Sequence, residues 1–304
     1  MSSFEAYDPY NVFQYPWMAV NLFVALWAIS VVTYKMLSQV SVTKTQFLCL
    51  EEGQRRNVVI YIFQLVVTTS ALGLQIFGGR DFLFRGEDYT SPERIDACRL
   101  AMMLIVALYI WELVYRISIR LPLATHHVMT ILFLQLGYGS FIDTMNIVYL
   151  RFGILLSLYA TTEQFSFVAL FLYRLKICSQ SHSLMFYIAA IQAFCTKTFI
   201  TVCAVAFYWN TLSEGRVSHD GAWGGFWKVT FLFLLSVLFA TQVYASWVLY
   251  ILAKRSQQRR TGSKISRDDA QITESTLRPD NTGPKEASLD FVDCEAPKTT
   301  TESD

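Results

Sequence analysis

Apolar residues run along the chain in long blocks, each about as long as a helix that crosses a bilayer. Seven blocks stand out, over 14–36, 58–78, 98–117, 122–140, 149–174, 184–209 and 226–252. About 20 apolar residues match the ~30 Å hydrocarbon core. Backbone N–H and C=O groups in lipid must be satisfied within their own segment, so these blocks predict helices. A transmembrane barrel would show alternating segments of about ten residues, and none is visible. The expected fold class is all-α: a polytopic membrane helical bundle of seven transmembrane helices. Polar residues interrupt the fifth and sixth blocks.

Composition narrows the function. The 304 residues are 53% hydrophobic and 16% charged, against about 25% charged in soluble domains. A soluble enzyme and a peripheral surface protein are both excluded. The net charge is +1, and no basic patch carries interleaved aromatics, so nucleic acid is not an expected partner. The cysteines Cys49, Cys98, Cys178, Cys195, Cys203 and Cys294 form no CxxC pair, so neither a disulfide framework nor a structural zinc site is expected. The opening MSSFEAYDPY has no basic stretch and no cleavage site. The first apolar block is therefore expected to direct insertion itself.

The loops carry an orientation signal. One side holds Lys35, Lys44, Arg55, Arg56, Arg116, Arg120, Arg174, Lys176, Lys254, Arg255, Arg259 and Arg260. The other holds Arg80, Arg85, Arg94, Arg99, Arg151, Arg216 and Lys228. The positive-inside rule places the richer side in the cytosol. The N-terminus is then lumenal or exterior, and the C-terminus cytosolic. Three regions follow: 1–54, with the first span and a cytosolic loop; 55–255, the remaining spans; and 256–304, a tail rich in Ser, Thr, Asp, Glu and Pro. The tail lacks the apolar surface to offset ordering entropy and is expected to be disordered. Its TTTESD ending names no compartment. Trp17, Tyr34, Trp111, Tyr115, Trp209, Trp223, Trp227 and Trp247 lie near block ends and read mostly as interfacial belt residues.

An ionisable group inside a span is costly, so each is a functional candidate. Glu112 and Arg116 are four apart and share a helical face near the cytosolic end of the third block, where they can pair. Arg116 can equally snorkel to the headgroups; a carboxylate cannot reach far. The fourth block opens LPLATHHVMT. His126 and His127 point about 100° apart, so one can face a pocket while the other meets a neighbouring helix. Thr130 lies one turn beyond His126. Glu112 and the His pair sit at similar depth on antiparallel helices, so a carboxylate–imidazole contact is geometrically open. Such a contact would fix a tautomer and prime a general base or nucleophile. Ordinary interhelical hydrogen bonding is the plainer role. Adjacent histidines are poorly spaced for one metal, so no metal site is expected.

The fifth block contains ATTEQFSF, with Thr161, Thr162, Glu163, Gln164 and Ser166 near the bilayer centre. The sixth contains Gln192, Thr196, Lys197 and Thr198. Glu163 and Lys197 can form a buried ion pair, line a polar pocket for a lipid headgroup, or do both.

The segments YIWELVYRISIRLPLATHHVMTILF (109–133) and YATTEQFSFVALFLYRLK (159–176) resemble the TLC domain, the helical module of ceramide synthases and translocation-associated membrane proteins. The resemblance covers roughly 55–255 and implies a six-helix core preceded by one N-terminal helix. The family's acidic, paired-His, Thr and later acidic positions would fall on Glu112, His126, His127, Thr130 and Glu163. In ceramide synthases the paired His residues belong to an amide-forming acyl transfer. By resemblance, His126 or His127 would take the acyl group or deprotonate the amine, and acyl-CoA would be the co-substrate with no further cofactor. One departure stands out. Ceramide synthases have closely spaced Asp residues after the His pair, whereas here Asp143 is alone in a loop.

The expected function is therefore lipid metabolism or lipid homeostasis, by catalysis or by regulatory binding, with membrane lipids as partners and the endoplasmic reticulum as the family-based location. His126, His127 and Glu112 are the candidate catalytic residues. Glu163, Thr130, Thr162, Gln164, Lys197 and Arg116 are the candidate binding residues. A seven-span signalling receptor is the alternative, on the topology and the Ser/Thr-rich tail. Against it, the third block ends ELVYR, and the seventh lacks Asn-Pro-x-x-Tyr. A retinal protein would need a central lysine in its last span, and a channel a ring of like residues; neither is present.

Overall fold

The computed structural model describes residues 14–84, 91–144, 146–177, 181–213 and 222–272. Cys178 and Cys294, the loop positions Arg85 and Arg216, and residues 273–304 lie outside the described residues. So do the side chains of Asp143, Trp223, Trp227, Lys228, Arg259 and Arg260. Among the described residues the regular structure is helical: α1 (Gln14–Gln39), α2 (Ser41–Leu48), α3 (Glu52–Phe84), α4 (Pro92–Tyr115), α5 (Leu121–Thr144), α6 (Ile147–Thr161), α7 (Gln164–Arg174), α8 (His182–Ser213) and α9 (Ala222–Ile272).

Local chemistry sets several boundaries. Pro92 starts α4 at a position where its missing N–H costs nothing, and Pro122 sits in the first turn of α5. Asn146 caps α6, its side-chain oxygen accepting from the Val148 amide at 3.0 Å. The end of α7 folds back on itself: the Lys176 amide donates to the Tyr173 carbonyl at 3.2 Å and the Ile177 amide to the Leu172 carbonyl at 3.0 Å. This reversal puts Lys176 in the left-handed region, at φ 53°.

Among the described residues, six helical segments are long and apolar enough to cross a membrane: Trp17–Gln39, Glu52–Arg80, Pro92–Tyr115, Ile147–Arg174, His182–Thr211 and Val229–Gln258. The chain is an integral membrane protein. The apolar pattern predicts seven. The block at 122–140 does form a helix, α5, but His126, His127 and Gln135 dilute its apolar content and it is not among the six. The block at 149–174 is not one continuous helix. It breaks at Thr162 and Glu163, between α6 and α7. The first part of the expected disordered tail, 256–272, is helical and belongs to α9. Lys254, Arg255, Gln257 and Gln258 are good helix formers, which carries the helix beyond the last apolar turn.

Two compact units divide the chain, 1–257 and 258–304. In the first, α4 is the central helix and packs against α1, α3, α5 and α6. Its apolar window is 67% buried, against 11% for α1. Met102, Ile105 and Trp111 of α4 meet Ile60 and Phe63 of α3, Phe133 of α5, and Tyr149 and Phe152 of α6 in one core. Phe152, Tyr208 and Phe231 bring α6, α8 and α9 together, with Tyr208 stacked on Phe231 at 4.6 Å. A smaller cluster of Phe47, Leu50, Val58 and Leu175 seats α2 against α3 and the end of α7.

Trp111 corrects the belt assignment. It is fully buried, stacked between Phe63 at 4.9 Å and Tyr115 at 4.7 Å. Nearness to a span end placed it in the belt; its helix face places it in the core. Trp17, Trp209 and Trp247 are exposed. In the second unit, the described residues 258–272 are helical.

Candidate functional site

Glu112 lies one turn before the end of α4 and has no solvent exposure. Three groups surround it. Arg116, one turn on, donates from Nε to Oε1 at 2.8 Å and brings Nη2 to 2.6 Å from the same oxygen. Gln64 of α3 donates from Nε2 to Oε2 at 2.5 Å. His127 of α5 places Nε2 3.3 Å from Oε2. The Arg116 guanidinium is held from the other side, Nη1 donating to Asn57 Oδ1 at 2.7 Å. A buried carboxylate needs such partners, since an uncompensated charge in the bundle would cost several kcal/mol.

The histidines divide as their 100° offset requires. His127 turns toward Glu112, and the ring of Tyr109 lies 4.0 Å from its own, centroid to centroid. Neither of its nitrogens has an aligned hydrogen bond among the described residues, and the Glu112 contact is a close approach of Nε2 to Oε2. His126 turns toward α9. Gln242 Nε2 lies 3.1 Å from its Nε2 and 3.2 Å from its Nδ1, donating to whichever nitrogen holds the lone pair. The Tyr109 hydroxyl is 3.4 Å from Nε2, and Thr241 Oγ1 is 3.5 Å from Nδ1. Thr130 donates back to the His126 carbonyl at 2.8 Å. Its hydroxyl proton is thereby used within the helix, and only its lone pairs remain for a ligand.

The second cluster sits at the α6–α7 break. A helix end leaves its last carbonyls without intrahelical partners, and side chains supply them here. Thr162 donates to the Leu158 carbonyl at 2.7 Å, Lys197 donates to that of Tyr159, and Gln164 donates to that of Thr161 at 2.6 Å. Gln192 donates to the Thr162 carbonyl at 2.8 Å. The Lys197 ammonium also lies 3.1 Å from Glu163 Oε1 and donates to Thr162 Oγ1 at 3.3 Å. Thr162, Gln164 and Lys197, expected to bind substrate, thus each give one donor to the backbone, and Lys197 spends its remaining contacts on Thr162 and Glu163. The Glu163 side chain stays 18% exposed.

The structure thus gathers Glu112, Arg116, His126 and His127 into one polar cluster and Thr162, Glu163 and Lys197 into a second, within an apolar bundle. Sequence reasoning missed Asn57 and Gln64 on α3 and Thr241 and Gln242 on α9. The signal was available: each is a polar residue on or beside an otherwise apolar block, and Gln242 is buried. A third polar contact joins α3 to α6, where Gln75 donates to Ser157 at 2.7 Å and accepts from Thr161 at 2.7 Å. Among the described residues no group of three His, Cys, Asp or Glu side chains could hold a metal ion.

Comparison with models of protein families, with curated proteins and with solved structures finds no match for the chain.

Proposed function

We propose that this integral membrane protein acts in lipid metabolism or lipid homeostasis, with His127 as its reactive group. The observation that carries this reading is the 3.3 Å approach of His127 Nε2 to a buried carboxylate, with Nδ1 left buried and without a hydrogen-bond partner among the described residues. A proton on Nε2 faces Glu112 and leaves the lone pair on Nδ1. That nitrogen can then act as general base or nucleophile. Contacts of this kind are often poorly aligned before substrate binds and tighten in the complex.

Acyl transfer is the reaction this arrangement fits. A lipid amine or hydroxyl would lose its proton to Nδ1 as its nitrogen or oxygen bonds to the thioester carbonyl of an acyl-CoA. The carbon–sulfur bond would break, and the leaving thiolate would take the proton from the imidazolium and depart as a thiol. Glu112 would stabilise the imidazolium, and Arg116 with Gln64 would hold Glu112. The order of the acidic, paired-His and later acidic segments supports a TLC-type protein of the endoplasmic reticulum membrane. A lumenal N-terminus and cytosolic C-terminus belong to the same reading, in which α5 crosses the membrane as the seventh span.

Comparative lipidomics tests it. Cells lacking the protein are restored with wild type, His127→Ala or Glu112→Gln at matched protein level. Restoration of one lipid class by wild type alone supports the reading and names the substrate class. Full restoration by His127→Ala would sink it.

A further inference from the structure

The Lys197 ammonium sits where a metal cation would sit. Its partners are oxygens on three sides: the Tyr159 carbonyl, Thr162 Oγ1 at 3.3 Å and Glu163 Oε1 at 3.1 Å. The Tyr159 ring closes a fourth side, 5.5 Å from Nζ. The carbonyl is available because the helix breaks: in a continuous helix it would accept from the amide of residue 163. Broken membrane helices use such unwound carbonyls, with a nearby carboxylate, to coordinate monovalent cations. Here a side chain from α8 fills the position, and Lys197 is 1% exposed.

We infer that the α6–α7 break is a monovalent-cation site whose built-in occupant is the Lys197 ammonium. The chain needs a positive charge there, because the Glu163 carboxylate and the freed carbonyl both point into it. The lysine supplies that charge from within the chain, so the break is held without drawing an ion from solution. A cation of similar size, such as sodium, potassium or methylammonium, fits the same oxygens once the lysine is gone. The inference does not depend on the role proposed for His127.

The test measures thermal unfolding of the purified full chain in detergent. Four chloride salts at equal ionic strength are compared: choline, sodium, potassium and methylammonium. Wild type should unfold at one temperature in all four. Lys197→Ala should unfold several degrees lower in choline, and recover half or more of that loss in at least one of the other three. Lys197→Met fills the space with an apolar chain and should not recover. Neither should Lys197→Ala combined with Glu163→Gln, which lacks the carboxylate. Equal instability of Lys197→Ala in all four salts overturns the inference, as does the same recovery in Lys197→Met. Should Lys197→Ala not fold, Lys197→Gln decides the matter. It keeps a donor for the Tyr159 carbonyl without the charge. Wild-type stability of that variant overturns the inference, and a clear loss supports it.

Discussion

His127 and Glu112 face each other across the α4–α5 connection, Nε2 3.3 Å from Oε2, with both side chains sealed from solvent. The short connection after Arg116 makes this meeting possible. It turns the chain so that one turn back along α4 and about two turns into α5 reach the same depth. Arg116 and Gln64 then decide that Glu112 is a carboxylate held in place.

The Glu112–Arg116 pair is mostly buried. Removing either partner leaves a buried charge, so Glu112→Gln and Arg116→Met should each cost about 3–5 kcal/mol. The double variant should be more stable than the sum of the two losses implies, by about 1–3 kcal/mol. Denaturant unfolding of all four proteins measures this. Simple additivity would show that the two groups do not interact in the folded chain.

The two histidines should fail in different ways. His127→Gln, which keeps most of the buried volume and a polar contact to Glu112, should lower lipid-directed activity by about a hundredfold or more, the usual scale for a general base, with little change in unfolding temperature. His126→Ala strips Gln242 of its partner inside the bundle and should cost about 1–3 kcal/mol of stability. Measuring turnover and unfolding on the same preparations separates the two. Equal effects of both variants on both readouts would refute the division of roles.

Gly78 lies where α3 packs tightly against α4. A Cβ there would lie 2.6 Å from the Arg94 carbonyl oxygen and 2.6 Å from Cys98 Sγ. The carbonyl is backbone and cannot swing away, so Gly78→Ala should cost about 1–3 kcal/mol by overpacking. At Gly139 a Cβ meets nothing within 4 Å. Gly139→Ala should be neutral or gain up to about 1 kcal/mol from helix propensity. Thermal shifts of opposite sign, or one near zero, are the expected pair.

Trp111 and Trp209 test the core against the lipid face. Trp111→Ala empties a fully buried position and should cost about 3–5 kcal/mol. Trp209 is 71% exposed, so Trp209→Ala should change stability by less than about 0.5 kcal/mol in detergent. Similar losses at both positions would contradict the packing described here.

The sequence by itself determined that this chain lives in a membrane. Blocks of span length with very few charges admit no other solvent, and backbone polarity makes them helices. It also brought out Glu112, His126, His127, Glu163 and Lys197, because an ionisable group stands out against an apolar background. Only the tertiary structure decided which face of each helix is covered. In a soluble protein, water marks the outer face with polar residues. In a bilayer, lipid and protein interior are equally apolar. Buried Trp111 and exposed Trp209 therefore look alike in sequence. The same ambiguity hid Gln64 and Gln242, whose importance depends on meeting Glu112 and His126 from helices far away in the chain. The break at Thr162 was legible only as a run of polar residues. That its carbonyls are satisfied by Lys197 and Gln192 was settled by α8 packing across it, since a helix end in an apolar medium must find its donors elsewhere.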